Sequence, residues 1–357
     1  MTLTPLHGHH ALRSRLADAV ARGALPGSIL LHGPRGVGKQ RLALWLGQYL
    51  LCTGSGERPC GACASCRYVD TLGHPDLRWF FPRPRLADAD ASADDVLDDY
   101  AGAIAERVAR AGLYAPPSGT EAIFVASVRA LVQLASRTPA IGTRKVFVIG
   151  DAERMVPQEG ADAAANAFLK LLEEPPADTT LVLTSSEPGA LLPTIRSRVV
   201  AIRVPPLPDA DMRALLAEPL VRSALDDAGV ARGAEERARL AGGALGALLG
   251  ASSEEEAFTA ARSLLAAATA ERAEQARTVL ALGGSKARGF FSAVLDALTV
   301  LLHQRARDAV SSGDRRGAIG ASRAIDAVEE AKLRAAGNVN PQLLGAALVR
   351  RLTEHLA

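Results

Sequence analysis

Ser28-Ile29-Leu30-Leu31-His32-Gly33-Pro34-Arg35-Gly36-Val37-Gly38-Lys39-Gln40 is the stretch on which the reading of this chain turns. A short apolar run flows into a glycine-rich turn that matches G-x-x-x-x-G-K. Lys39–Leu51 then repeats Leu42, Trp45, Leu46 and Tyr49 at intervals of three and four, the period of a helix. Strand, turn and helix in that order are the setting a phosphate loop requires. The glycines let the backbone wrap a phosphate, the helix N-terminus adds a favourable dipole, and the lysine reaches the β- and γ-phosphates. Gly33, Gly36, Gly38, Lys39 and Gln40 are therefore candidates for holding ATP or ADP. The position after the lysine ordinarily offers magnesium a Ser or Thr hydroxyl, and here it is Gln40. Efficient hydrolysis is not expected. The alternative is a turn that keeps the shape of the loop without the nucleotide.

Val146–Ile149, Leu181–Thr184 and Val199–Val204 are further short apolar runs, continuous enough to be buried parallel strands. A helix is predicted from about Asp162, with Ala165, Phe168, Leu169 and Leu172 on one face, and Pro175-Pro176 stops it. Strands and helices that alternate in this way predict an α/β fold with a parallel sheet. The acidic partner of a phosphate loop belongs at the end of a later strand, and Val146-Phe147-Val148-Ile149-Gly150-Asp151-Ala152-Glu153 is the candidate. In one alignment Gly150 takes the metal-binding place and Asp151 the water-orienting one. Shifted by one residue, Asp151 takes the metal and Ala152 the catalytic place. Either way the pair is incomplete, and phosphoryl transfer depends on metal and water positioning.

All four cysteines fall within fifteen residues, as C-x7-C-x2-C-x2-C: Cys52, Cys60, Cys63 and Cys66. Four thiolates satisfy a closed tetrahedral zinc site, which is structural rather than catalytic because no position stays open for water. Reduced thiols or two disulfides are the alternative. Residues 84–119 read as an insertion crowded with Asp88, Asp90, Asp94, Asp95, Asp98 and Asp99 and closed by Pro116-Pro117-Ser118-Gly119. Its run Val96–Ala111 is predicted as a surface helix, and its acidic residues as a solvated face.

After Pro205-Pro206 and Pro208 the composition shifts to Ala, Leu, Arg and Glu, with no proline between Pro219 and Pro341. That predicts an all-helical remainder, with helix boundaries at the glycine clusters 242–246, 283–284 and 317–320. Three domains are expected: 1–207, containing the cysteine module and the insertion; a small helical domain over 208–251; and a helical bundle over 252–357. At 357 residues, 48% hydrophobic and 22% charged, the chain has ordinary globular composition, and disorder is excluded as its general state. A net charge of +2 excludes the whole molecule as an electrostatic glue for nucleic acid. Arginine is common and only five lysines occur, so an arginine carries weight only inside a pattern. Arg13, Arg15, Asp18 and Arg22 interrupt the first thirty-one residues, and no stretch approaches the ~18 apolar residues of a membrane helix. A cytoplasmic chain is expected.

Three more stretches carry a family resemblance. Asn166-Ala167-Phe168-Leu169-Lys170-Leu171-Leu172-Glu173-Glu174-Pro175-Pro176 resembles the NALLKxLEEPP segment of bacterial clamp-loader subunits, which are AAA+ proteins. Thr184-Ser185-Ser186-Glu187-Pro188 falls where that family places a polar residue that senses the γ-phosphate. Leu192-Pro193-Thr194-Ile195-Arg196-Ser197-Arg198 resembles its Ser-Arg-Cys motif, with Val199 in place of the cysteine. With the cysteine module, the resemblance covers most of residues 5–250. It implies an AAA+ domain, a helical lid and an all-α collar. It also implies assembly with motor (gamma/tau) and delta subunits of the DNA polymerase III clamp loader, and action on the sliding clamp and primed DNA at the replisome.

Within the family a motor subunit keeps the hydroxyl, the carboxylate pair and a lid arginine, where this chain has Gln40, Gly150-Asp151 and Gly246. His74-Pro75-Asp76 also resembles the non-motor branch. The intact motif implies that Ser197 and Arg198 serve a neighbour's ATPase site, with Arg198 as the trans-acting arginine. An active clamp-loader ATPase is the alternative implied by the same resemblance.

Overall fold

The computed structural model describes residues 2–86, 88, 91–114, 117, 121–155, 162–230, 233–282, 288–335 and 340–356. Asp90, Pro116, Ser118, Gly119 and the glycine pair 283–284 lie outside them, as does the side chain of Ala165. No described helix is long and apolar enough to cross a membrane.

Five parallel strands form one sheet: β1 (Ser28–His32), β2 (Leu77–Phe80), β3 (Lys145–Ile149), β4 (Thr179–Ser185) and β5 (Val200–Arg203), in the spatial order β2-β3-β4-β1-β5. The apolar runs read from the sequence are β1, β3, β4 and β5. The fifth strand, Leu77-Arg78-Trp79-Phe80, is four residues long and carries an arginine, so its pattern alone does not announce it. Helices α1 (His10–Ala21), α2 (Lys39–Leu51), α3 (Ala64–Asp70), α4 (Ala93–Ala109), α5 (Val125–Ala135), α6 (Asp162–Glu173) and the single turn α7 (Pro193–Arg196) complete the layer. Ile29, Leu31, Val146, Val148, Val182 and Leu183 are fully buried, as a sheet covered on both faces requires.

The insertion departs from the expected surface helix. Its α4 starts at Ala93 under a capping box, in which Ser92 and Asp95 bond each other's backbone amides. Val96, Tyr100 and Ala103 are buried in the main core, and the Tyr100 hydroxyl donates to the Phe81 carbonyl at 2.7 Å. Asp94 and Asp98 are exposed, as expected of a solvated face, whereas Asp99 pairs with Arg83 at 2.7 Å.

The remainder is helical: α8 (Asp209–Ala217), α9 (Pro219–Asp227), α10 (Ala234–Ala241), α11 (Gly246–Ala267), α12 (Arg272–Ala281), α13 (Arg288–Ser311), α14 (Arg315–Ala335) and α15 (Pro341–Leu356). The chain divides into two compact units, one holding the sheet and the helices through Leu249, the other running from Gly250 to the end. Within the first, Leu207, Met212, Leu216, Val221, Leu225 and Leu245 form a satellite core of their own. The second is centred on Phe291, Leu295, Leu298, Val328 and Leu352. Residue 251, the expected domain boundary, falls inside α11. The cluster 242–246 does separate two helices. Gly317 and Gly320, by contrast, lie within α14, and a side chain at Gly320 would collide with the carbonyl of His355 in α15.

Candidate functional site

Parallel pairing puts the glycine-rich loop at the carboxyl ends of the strands, where open α/β sheets bind their ligands. His32 of β1 lies opposite Ser185 of β4 and Arg203 of β5, while Ile149 of β3 lies opposite Leu183. The structure therefore brings residues 33–40, 150–153 and 184–186 together.

Lys39 opens α2, with Gly38 as its N-cap, and is 5% exposed. Its ammonium donates to the Gly33 carbonyl at 2.9 Å, the Pro34 carbonyl at 2.8 Å and the Ser186 hydroxyl at 2.9 Å. All three protons are thereby spoken for within the protein. Burial lowers its pKa to about 8, against the opposing pull of Asp151 and Glu153. The Val37 carbonyl accepts a bond from the His9 ring at 3.0 Å. Gly36, at φ 80°, accepts from the Gly246 amide at 3.1 Å. A Cβ on Gly246 would sit 2.6 Å from the Gly36 Cα, so this packing has no room for a lid arginine at that position.

On the acidic side Asp151 has a left-handed backbone (φ 48°), and its amide donates to the Thr184 hydroxyl at 3.1 Å. Burial raises its pKa, as does neighbouring Glu153, while Lys39 and Arg107 pull it down. Gln40 Nε2 donates to Asp151 Oδ2 at 3.0 Å, and Gln40 Oε1 accepts from the Trp79 indole at 2.9 Å. The Arg107 guanidinium stands 3.3 Å from the ring centre of Phe81, 3.7 Å from Tyr114 and 4.5 Å from Trp79.

Trp79 and Arg107 are site residues that the sequence did not mark, and Glu153 and Ser186 lie in stretches it marked without giving either of them a role. Glu153 accepts from the Ser186 amide at 2.9 Å. Its place two residues after Asp151 was the available signal. Nothing local marks Arg107.

The four cysteines sit at the other end of α2. Cys52 caps that helix, Cys63 caps α3 and Cys66 lies within it. Their sulfurs all lie within 4.8 Å of one another, with Cys60–Cys66 and Cys52–Cys63 at 4.0 Å. A disulfide needs ~2.05 Å, and all four thiols are free. Backbone amides of Cys60, Cys63 and Cys66 donate to the sulfurs of Cys52, Cys60 and Cys63 at 3.3–3.4 Å. Burial opposes ionisation of Cys63, but the Cys66 amide and bonds from Thr53 outweigh it and bring the thiol to about 5. Burial raises the Cys66 thiol. Four sulfurs at these spacings, with amides that favour the thiolate, fit a tetrahedral metal ion.

Arg198 follows α7 in the turn before β5. Its Nε donates to Glu173 Oε2 at 3.0 Å and its Nη1 to the Thr194 carbonyl at 3.0 Å and the Ser197 hydroxyl at 3.3 Å. The side chain stays 30% exposed, and Nη2 has no acceptor among the described residues. Ser197 also donates to the Thr194 carbonyl at 3.1 Å. His74 and Asp76 have a structural part: Asp76 accepts the amides of Ala140, Ile141 and Gly142 at 2.5–2.9 Å.

Residues 8–208 match the protein family described as DNA polymerase III, delta subunit. The chain is 35% identical over 219 residues to the DNA polymerase III subunit delta' of Pseudomonas aeruginosa, covering 60% of this chain and 52% of the relative. To the corresponding subunit of Escherichia coli it is 30% identical over 172 residues, covering 48% and 40%. To the subunit gamma/tau of Mycobacterium tuberculosis it is 29% identical over 213 residues, covering 59% and 30%. The matches thus span about half, or less, of the length of these relatives.

Proposed function

Since the chain belongs to the DNA polymerase III delta-subunit family, we propose that it is a non-motor subunit of a replicative clamp loader that lends an arginine to a neighbouring ATPase site. One observation carries the reading. The phosphate loop is tied back on itself through Lys39, and Gln40 is bonded to Asp151, while Arg198 is half-held and partly exposed. Such a subunit works beside motor (gamma/tau) and delta subunits to place the sliding clamp on primed DNA. Residues 1–207 are its AAA+ domain, 208–251 its lid and 252–357 its collar. Any ATP or ADP held at 33–40 is not turned over efficiently.

Phosphoryl transfer spreads negative charge over the γ-phosphate, and an arginine supplied from outside stabilises it by roughly three to five orders of magnitude in rate. Arginine suits this because it stays charged and its planar fork matches phosphate oxygens. Glu173, Thr194 and Ser197 occupy Nε and Nη1 and leave Nη2 for the neighbour's phosphate. Cys52, Cys60, Cys63 and Cys66 would hold a zinc ion, which supplies a structural staple and no reaction step.

The test is Arg198→Ala in a complex reconstituted with motor and delta subunits, with ATPase and clamp-loading rates measured. A partial loss is expected, because only the site facing this subunit loses its arginine, with Arg198→Lys a poor rescue and Arg196→Ala milder. Wild-type rates under saturating ATP would end the trans-acting role. Robust turnover by the isolated chain, abolished by Lys39→Ala, would favour the motor reading instead.

A further inference from the structure

Gln40 and Gly150, which in one alignment of the acidic strand are the two departures from an active site at the metal position, meet in one buried contact. A Cβ on Gly150 would lie 2.5 Å from the Gln40 Cδ and 2.7 Å from its Nε2. The glutamine side chain occupies the very space that any residue other than glycine would need at position 150. Its amide group is fixed at both ends, to Trp79 through Oε1 and to Asp151 through Nε2, with Gln40 and Trp79 only 6% and 3% exposed. In an active loop a Ser or Thr hydroxyl at position 40 is too short to reach the acidic strand, and a magnesium ion bridges the two. The longer glutamine crosses that gap alone.

We propose that the Gln40 carboxamide is a built-in substitute for the magnesium ion, and that Gln40 and Gly150 are one coupled replacement rather than two separate losses. The residues present do not fit magnesium. This ion demands oxygen ligands at about 2.0–2.1 Å in octahedral array. The group facing Asp151 is instead an N–H donor, and the one acceptor of the amide is used by Trp79. Arg107, stacked 4.5 Å from the Trp79 ring and acting electrostatically on Asp151, adds positive charge beside that carboxylate. A buried carboxylate needs either a cation or a hydrogen-bond donor, and here the chain supplies the donor. Gln40→Thr is therefore not a restoration. It strands the buried Trp79 N–H and the Asp151 carboxylate, and opens a void.

The inference rests on reading residues 33–40 as a phosphate loop, but not on Arg198, so its test is separate from the reconstitution above. Gln40→Thr, Gly150→Ala and the double variant of the full chain would be compared by thermal unfolding. Each single variant should lower Tm by several degrees. The double should lose less than the sum, because the shorter threonine side chain vacates the space that the added methyl group at position 150 needs. Gln40→Glu is the nearly isosteric second arm. It keeps the acceptor for Trp79 but sets a carboxylate against Asp151, so it should melt lower than wild type in chelator and regain Tm on addition of magnesium or manganese. The wild-type chain with ADP should respond to magnesium no more than to ADP alone. Additive single effects, a tolerated Gly150→Ala, a Gln40→Glu chain indifferent to metal, or a magnesium-dependent shift in the wild type would each overturn the proposal.

Discussion

Helix α2 carries a site at each end, and the two are built on opposite terms. At its C-terminal end Cys52 joins three more thiols, and the four sulfurs lie within 4.8 Å of one another with backbone amides turned toward them. At its N-terminal end the loop keeps its glycines and its lysine, yet the protein's own groups occupy the bonding positions. Lys39 is bonded to loop carbonyls and Gln40 to Asp151. The first is a set of ligands that fits an ion. The second is a set of donors and acceptors that already satisfy one another. The contrast teaches that a motif kept in outline says little about chemistry. What counts is whether the polar groups at the centre are left for a ligand or paired internally.

Removing a ligand at the cysteine end should give the largest effect. Cys63→Ser should lower metal content from about one zinc per chain and destabilise the sheet unit by an amount on the order of several kcal/mol, because metal binding is folding free energy there. Metal analysis of chelator-free protein checks the premise, and protein without zinc would erase the contrast between the two ends.

At the other end, Gly36→Ala should act next most strongly. Its Cβ would stand 2.8 Å from the Gly246 Cα, and φ 80° disfavours any L side chain. A loss of roughly 1–3 kcal/mol is expected from chemical denaturation. An unchanged midpoint would mean that the 246 region does not latch on the loop.

Lys39 gives the most specific signature. Its folded pKa of about 8 lies below the unfolded value of ~10.4. Between those values the unfolded chain binds the extra proton, so this residue's contribution to stability should rise with pH across that window and be flat below it. The slope is at most roughly 1.4 kcal/mol per pH unit. The Tm difference between wild type and Lys39→Met, followed from pH 7 to ~10, isolates it from other titrating groups. A difference independent of pH would show that the ammonium is not desolvated as the structure has it.

Much of this was legible in the chain itself. The strand–loop–helix around Lys39, the stop at Pro175-Pro176 and the cysteine spacing are written in windows of a dozen residues. Period, turn chemistry and ligand spacing act over that range, and the structure realises them as β1, α2, α6 and the sulfur cluster. Glu153 was not assigned, because a role four residues past β3 depends on the Ser186 amide that arrives from just beyond β4. Glycine clusters were an imperfect guide, since Gly320 serves close approach of two helices rather than a helix end.

Sequence by itself thus determined four of the five strands, the helices α2 and α6, the helical remainder and the residues worth watching. Only the tertiary structure decided what those residues do to one another. Trp79 reaches Gln40 across 39 residues of chain, and Gln40 reaches Asp151 across 111. The first of these contacts depends on a four-residue edge strand with no periodic signature, pinned by α4 and its Tyr100. Local patterning sets which conformations a segment prefers. Which donor meets which acceptor is fixed by the packing of segments far apart in the chain, and that packing makes the glycine-rich loop self-satisfied while it gathers four cysteine sulfurs within 4.8 Å of one another.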